Sequence, residues 1–145
     1  MNTRPIESRD VDAILEIQTA SPEVAQWTMW DYNRVAGGEM AGWVATEENE
    51  LLGFLVARRV SGDIEILNFA VRPEARRCGL GGKLLAAVMG WGVAIKAESA
   101  MLEVRASNIA ALQFYERRGF TVVGRRQRYY MSPVEDALLL NAPVK

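Results

Sequence analysis

The chain has 145 residues, half of them hydrophobic and 24% charged, the composition of one globular domain (1–145) with a sizeable core. Seventeen basic against eighteen acidic side chains leave a formal charge of −1, without the basic excess of a general nucleic-acid binder. There is no histidine, which excludes Ser-His and Cys-His catalysis and histidine-containing zinc sites, and the one cysteine excludes an intramolecular disulfide.

Met1-Asn2-Thr3-Arg4-Pro5 lacks the apolar core of a signal peptide. The longest apolar run, Leu84 to Ile95, is about half a membrane span and is interrupted by Gly90 and Gly92. A soluble cytoplasmic protein with no membrane partner is expected. Any acid–base chemistry must use carboxylates, tyrosine, lysine or Cys78.

Thr3 to Ile6 reads as a short edge strand, where Pro5 is tolerated. Ser8 is expected to cap a helix with Asp10 and Asp12 in its first turn and an apolar stripe of Val11, Ile14, Leu15 and Gln18. Ser21-Pro22 interrupts it. Trp27, Met29, Trp30 and Tyr32 fall on a second short helix that ends before Gly37-Gly38. Trp43–Thr46 and Leu51–Ala57 form a hairpin around Glu48-Asn49-Glu50. Ser61-Gly62-Asp63 turns the chain into the strand Ile64–Val71, ended by Arg72-Pro73. A helix over about residues 80–97 and a strand over Ala100–Val104 follow. Asn108 starts a helix that stops at Gly119. Two last strands, Thr121–Arg126 and Asp136–Leu140, enclose Tyr129-Tyr130-Met131-Ser132-Pro133. The order is strand, two helices, three strands, helix, strand, helix, two strands, which predicts an α/β domain with one mixed sheet.

Arg76-Arg77-Cys78-Gly79-Leu80-Gly81-Gly82-Lys83 joins a strand to a helix. Glycines are unfavourable at a helix start unless the backbone must be bare there. One reason is an anion, held by free N–H groups at the helix N-terminus and by arginine donors. The other is a tight turn with φ > 0 and solvated arginines. A Walker loop fails because Lys83 is followed by Leu84, and a dinucleotide fingerprint fails because Leu84 stands where its third glycine belongs.

The spacing Arg76-x-x-Gly79-x-Gly81 resembles the acetyl-CoA pyrophosphate loop of the GNAT acetyltransferase superfamily. Asn68-Phe69-Ala70-Val71-Arg72-Pro73 is similar to that family's fourth strand. Leu102-Glu103-Val104-Arg105-Ala106-Ser107-Asn108 and Ala111-Leu112-x-Phe114-Tyr115-Glu116-x-x-Gly119-Phe120 are similar to its fifth strand and fourth helix. Leu102–Asn108 and Arg128-Tyr129-Tyr130, followed by Glu135-Asp136-Ala137, resemble the ribosomal-protein alanine N-acetyltransferase branch.

The resemblance implies a seven-stranded mixed sheet with helices on both faces, splayed between strands four and five, and acetyl-CoA as co-substrate without a metal. It implies that the backbone at Phe69, Ala70 and Val71 meets the pantetheine. Arg76, Arg77, Cys78, Gly79, Leu80, Gly81 and Gly82 would hold the pyrophosphate, and Asn108 would sit near the thiol. Glu103 becomes the general base, although by itself it could be an outward-facing residue or a partner for Arg105. Tyr115 becomes the general acid, although with Ile109 and Leu112 it could equally be a core aromatic. Tyr129 and Tyr130 would bind the backbone of a protein N-terminus, and the branch resemblance implies a ribosomal protein as that partner.

Trp27, Trp30 and Tyr32 fit either the acceptor site or core packing, and Arg125, Arg126 and Arg128 fit a partner or a solvated face. Cys78 could carry an acyl group if its thiol were activated by the helix and arginines. The resemblance instead puts it at the pyrophosphate, favouring direct transfer, and Gly82 departs from a basic residue often found there. A small-amine acetyltransferase and a non-catalytic acetyl-CoA-binding module are the alternative readings.

Overall fold

The computed structural model describes residues 2–38, 40–76, 78–131 and 133–144. The strands are β1 (Asn2–Pro5), β2 (Ala41–Glu47), β3 (Glu50–Val60), β4 (Asp63–Val71), β5 (Ser99–Arg105), β6 (Thr121–Tyr130) and β7 (Glu135–Pro143). The helices are α1 (Val11–Thr19), α2 (Met29–Ala36), α3 (Leu80–Ala94) and α4 (Ile109–Glu116). One sheet contains all seven strands in the order β1-β2-β3-β4-β5-β7-β6, and only the β4–β5 pair is parallel. This is the element order expected from the sequence.

Helices cover both faces. Val11, Ile14 and Ile17 of α1 and Tyr32 and Val35 of α2 pack on Val44, Phe54, Val56 and Ala70. Leu80, Leu84, Leu85 and Val88 of α3 and Tyr115 of α4 pack on Leu55, Ile64, Ile66, Leu102, Val104 and Leu140 on the opposite face. Strand alternation supplies both sets, because successive side chains point to opposite faces. In β4 the alternation slips. Val56 pairs with Asn68 and Ala57 with Ile66, leaving Leu67 as the extra residue of a bulge. Ile66 therefore packs under α3, while Ala70, four residues on, packs under α1 and α2.

Three local expectations are corrected. Ser8 caps no α-helix: it opens a 3-10 turn, Ser8–Asp10, whose N-cap is Glu7, and α1 begins only at Val11. Burial alone would raise the Asp10 carboxyl, but both guanidinium nitrogens of Arg4 (2.8 Å each) and the Glu7 N–H (2.8 Å) outweigh it and hold it below its ordinary value. Ile109 is 58% exposed, so the α4 stripe has Tyr115 as its fully buried member. β6 runs on to Tyr130, where Tyr130 pairs with Glu135 beyond a bulge that puts Arg128 at φ 54°. Among the described residues, no helix is long and apolar enough to cross a membrane.

Candidate active site

β4 and β5 share only two register pairs, Ile64 with Ala100 and Glu65 with Met101. Beyond them the strands part, and a cleft of about 1280 Å³ opens, lined by Ile66 to Val71 on one side and Leu102 to Arg105 on the other. Main-chain groups of β4 that face the gap there have no neighbouring strand, so an extended ligand with amides could pair with them. Phe69, Ala70 and Val71 all line this gap, and the Phe69 N–H is met by the Asn68 side-chain oxygen at 3.2 Å.

One arm of the cleft runs to the start of α3. Gly79 is the N-cap at φ 83°, a left-handed conformation that favours glycine. The N–H groups of Leu80, Gly81 and Gly82 have no acceptor within the helix and sit at its positive end. Space is tight at the next two glycines as well: a Cβ on Gly81 would stand 3.1 Å from the Phe114 ring and one on Gly82 3.1 Å from Arg118 Nη2, so these neighbours would have to give by a few tenths of an ångström. The turn explanation of the glycine run therefore holds at Gly79, while Gly81 and Gly82 sit close to the Phe114 and Arg118 side chains.

Leu80 is 1% exposed and its side chain belongs to the core, so only its N–H could meet a ligand. Arg76 lines the cleft, yet its Nη2 donates to Ser21 Oγ (3.2 Å) and Glu23 Oε1 (3.2 Å), and its Nε to the Val71 carbonyl (3.2 Å). It ties down a loop rather than standing free for a phosphate. Cys78 is exposed and does not line the cleft, which leaves an acyl-cysteine route without geometric support. Arg77 lies outside the described residues.

Glu103 and Tyr115 enter the gap from opposite faces. Leu102 and Val104 of β5 are buried under α3, so alternation turns Glu103 and Arg105 to the other side. Glu103 Oε1 is engaged not by Arg105 but by Arg126 Nε at 3.1 Å, with the carboxylate 21% exposed. Tyr115 is both core aromatic and cleft wall: Phe114, Phe120 and Phe69 surround its ring at centroid distances of 5.2, 5.4 and 6.3 Å. Burial pushes its phenol well above the ordinary tyrosine value. Asn108 caps α4, its Oδ1 accepting the Ala111 N–H at 3.2 Å while the residue lines the cleft.

Tyr129 and Tyr130 close the second arm, edge to face at 5.2 Å. The Arg105 guanidinium sits 4.2 Å over the Tyr130 ring. Burial, then the Glu103 charge, pushes the Tyr130 phenol up. Opposite stands the α1–α2 loop, whose residues Pro22 to Gln26 line the cleft. Trp27, Trp30 and Tyr32 do not line it; Trp30 is 73% exposed and Tyr32 is fully buried. Arg125 and Arg128 organise the β6 bulge through Asp136, which accepts from Arg125 Nη1 at 2.6 Å and from the Arg128 N–H at 2.9 Å.

Sequence reasoning missed the group that shapes this wall. Gln18 Nε2 donates to the Trp27 carbonyl (2.8 Å), and its Oε1 accepts the Trp27 N–H (3.0 Å) and the Tyr32 hydroxyl. Asn68 Nδ2 donates to the Ala25 carbonyl (3.0 Å) and to Tyr32 Oη (2.9 Å). A glutamine on the buried stripe of α1 and an asparagine inside an apolar strand were the available signals.

The sequence profile of the acetyltransferase (GNAT) family matches residues 11–120, most of the chain. The chain belongs to this family. A GNAT relative from Haemophilus influenzae, named [ribosomal protein bS18]-alanine N-acetyltransferase, is 30% identical over 132 residues, covering 88% of this chain and 86% of its own. The crystal structure of the ribosomal-protein-S18-alanine N-acetyltransferase from Escherichia coli superposes with a TM-score of 0.87 at 26% identity, covering 99% of this chain and 94% of that one. Arabidopsis thaliana NAA60 in complex with acetyl-CoA has the same fold (TM-score 0.86, 20% identity, 99% and 98% covered).

The cleft thus offers main-chain groups of β4 without a neighbouring strand and a bare helix N-terminus at α3.

Proposed function

We propose that this GNAT chain transfers the acetyl group of acetyl-CoA to the N-terminal α-amine of a protein, with a ribosomal protein that begins with alanine as acceptor. The observation that carries the reading is the parting of β4 from β5, with a bare helix N-terminus at one end and Glu103, Tyr129 and Tyr130 at the other. The names of the relatives support the acceptor, and two tyrosines beside a carboxylate suit a peptide backbone and its terminal amine.

Acetyl-CoA supplies the activated acetyl group. Phe69, Ala70 and Val71 orient the pantetheine amides, and the N–H groups of residues 79–82 meet the phosphates. Glu103 takes up the proton released as the amine nitrogen bonds the acetyl carbon, directly or through a water. The α-amine makes this feasible, because with a reference pKa near 8 about a tenth is neutral at pH 7, against far less of a lysine near 10.4. Arg126 holds one oxygen of Glu103 and leaves the other for the acceptor. Tyr115 gives its proton to sulfur as the carbon–sulfur bond breaks, and Asn108 stands beside that end of the gap. Direct transfer fits this arrangement, and Cys78 has no part in it.

Mass spectrometry of a short alanine-starting peptide incubated with enzyme and acetyl-CoA tests the proposal, beside an N-terminally blocked peptide containing lysine. Acetylation of the free N-terminus alone is expected. Equal modification of the lysine, or turnover of a small polyamine with neither peptide modified, would replace it with the small-amine reading.

A further inference from the structure

The coenzyme arm holds a cation that none of these roles uses. Arg118 lies just beyond α4 and lines the cleft. Its guanidinium stacks 3.7 Å over the Phe114 ring, and Nη1 donates to the Phe114 carbonyl at 3.0 Å. A Cβ added to Gly82 would come within 3.1 Å of Arg118 Nη2, 3.6 Å of Nε and 3.8 Å of Cζ. The Nε–Nη2 edge of the guanidinium therefore faces the first turn of α3. Glycine at position 82 lets Arg118 lie there without the shift of a few tenths of an ångström that a Cβ would demand. Meanwhile Arg76 is spent on Ser21 and Glu23.

We infer that Arg118 is a phosphate-binding residue of the coenzyme site, and that Gly82 is small so that Arg118 can lie there. The inference rests on the acetyl-CoA reading above. The helix N-terminus alone offers N–H groups and half a positive charge. Arg118 adds a full charge and a planar fork of donors that matches a phosphate. Stacking on Phe114 fixes the plane before any ligand arrives, so less side-chain freedom is lost on binding. A lysine could neither stack nor hold that plane. The cation comes from α4 instead of α3, but it occupies the same space that a basic side chain at 82 would reach. The two positions should then be exchangeable.

Calorimetric titration with coenzyme A tests this without turnover. Arg118→Leu should weaken binding by about tenfold or more, the scale of one charge-assisted hydrogen bond. Gly82→Arg combined with Arg118→Leu should recover most of it, with circular dichroism and Tm reporting that each variant is folded. Turnover of acetyl-pantetheine, which has no nucleotide phosphates, should be unchanged by Arg118→Leu. Dephospho-coenzyme A separates the two sources of phosphate: a loss that persists assigns Arg118 to the pyrophosphate, and one that vanishes assigns it to the 3′-phosphate. A folded Arg118→Leu protein that binds coenzyme A within about twofold of wild type overturns the inference. So does a double variant that stays as weak as Arg118→Leu. A wild-type protein that binds no coenzyme A would instead sink the functional reading beneath it.

Discussion

In the mechanism proposed above, Glu103 and Tyr115 divide the two proton problems of acetyl transfer between the faces of the sheet. Glu103 is open to the acceptor arm, so a proton it accepts can leave to water. Tyr115 is packed among three phenylalanines, and burial pushes its phenol up. A phenol raised in this way stays protonated through the working range, so its proton is in place when the carbon–sulfur bond breaks. The sign gives a pH profile. Activity should rise as the α-amine deprotonates near pH 8 and then stay level to about pH 10, because deprotonation of Tyr115 comes later still. Glu103→Gln and Tyr115→Phe should each lower kcat by about 10²–10⁴. A wild-type profile that falls between pH 8 and 10, or variants within a few-fold of wild type, would remove these residues from their roles. Only the resemblance singled out these two positions, which both line the cleft, since a carboxylate in an apolar strand and a tyrosine in a helix are each ambiguous alone. What the sequence hid was their company. Arg126 lies 23 positions from Glu103, and Arg76 turns to Ser21 and Glu23, more than 50 residues back.

Among the elements, the α1–α2 loop, which we propose forms the acceptor wall, lines the cleft and is held in shape by buried polar groups because it has no ladder of its own. Gln18 grips Trp27 by both main-chain groups, and Asn68 reaches from β4 to Ala25. Gln18→Leu leaves the Trp27 pair and the Tyr32 hydroxyl without these partners, a loss of about 1–3 kcal/mol. It should raise the peptide KM several-fold while the acetyl-CoA KM is unchanged, which initial-rate kinetics with each substrate varied would read. An equal rise in both constants would mean that the loop does not shape the acceptor arm. Element order, the β2–β3 hairpin and the Gly79 cap were readable locally, since turns and caps depend on neighbouring residues. The turn at Glu48 and Asn49, with φ of 51° and 66°, is such a case. The β4 bulge at Leu67 and the bulge at Arg128 that carries β6 to Tyr130 were not readable, because each depends on the register of a partner strand.

At the scale of the molecule, one parted pair of strands lets a single cleft pass through the sheet. The coenzyme arm lies against α3 and α4, and the acceptor arm lies among the α1–α2 loop, Glu103 and the two tyrosines. Both arms should be filled at once, with the α-amine of a peptide meeting the thioester where they join. A conjugate in which coenzyme A is linked through an acetyl bridge to the α-amine of an alanine-starting peptide measures this directly, by its Kd beside that of coenzyme A alone. Spanning both arms should tighten binding by about 10²-fold or more, and a conjugate linked through a lysine side chain should gain little. An α-amine conjugate that binds no better than coenzyme A, or a lysine-linked one that binds equally well, would contradict the account.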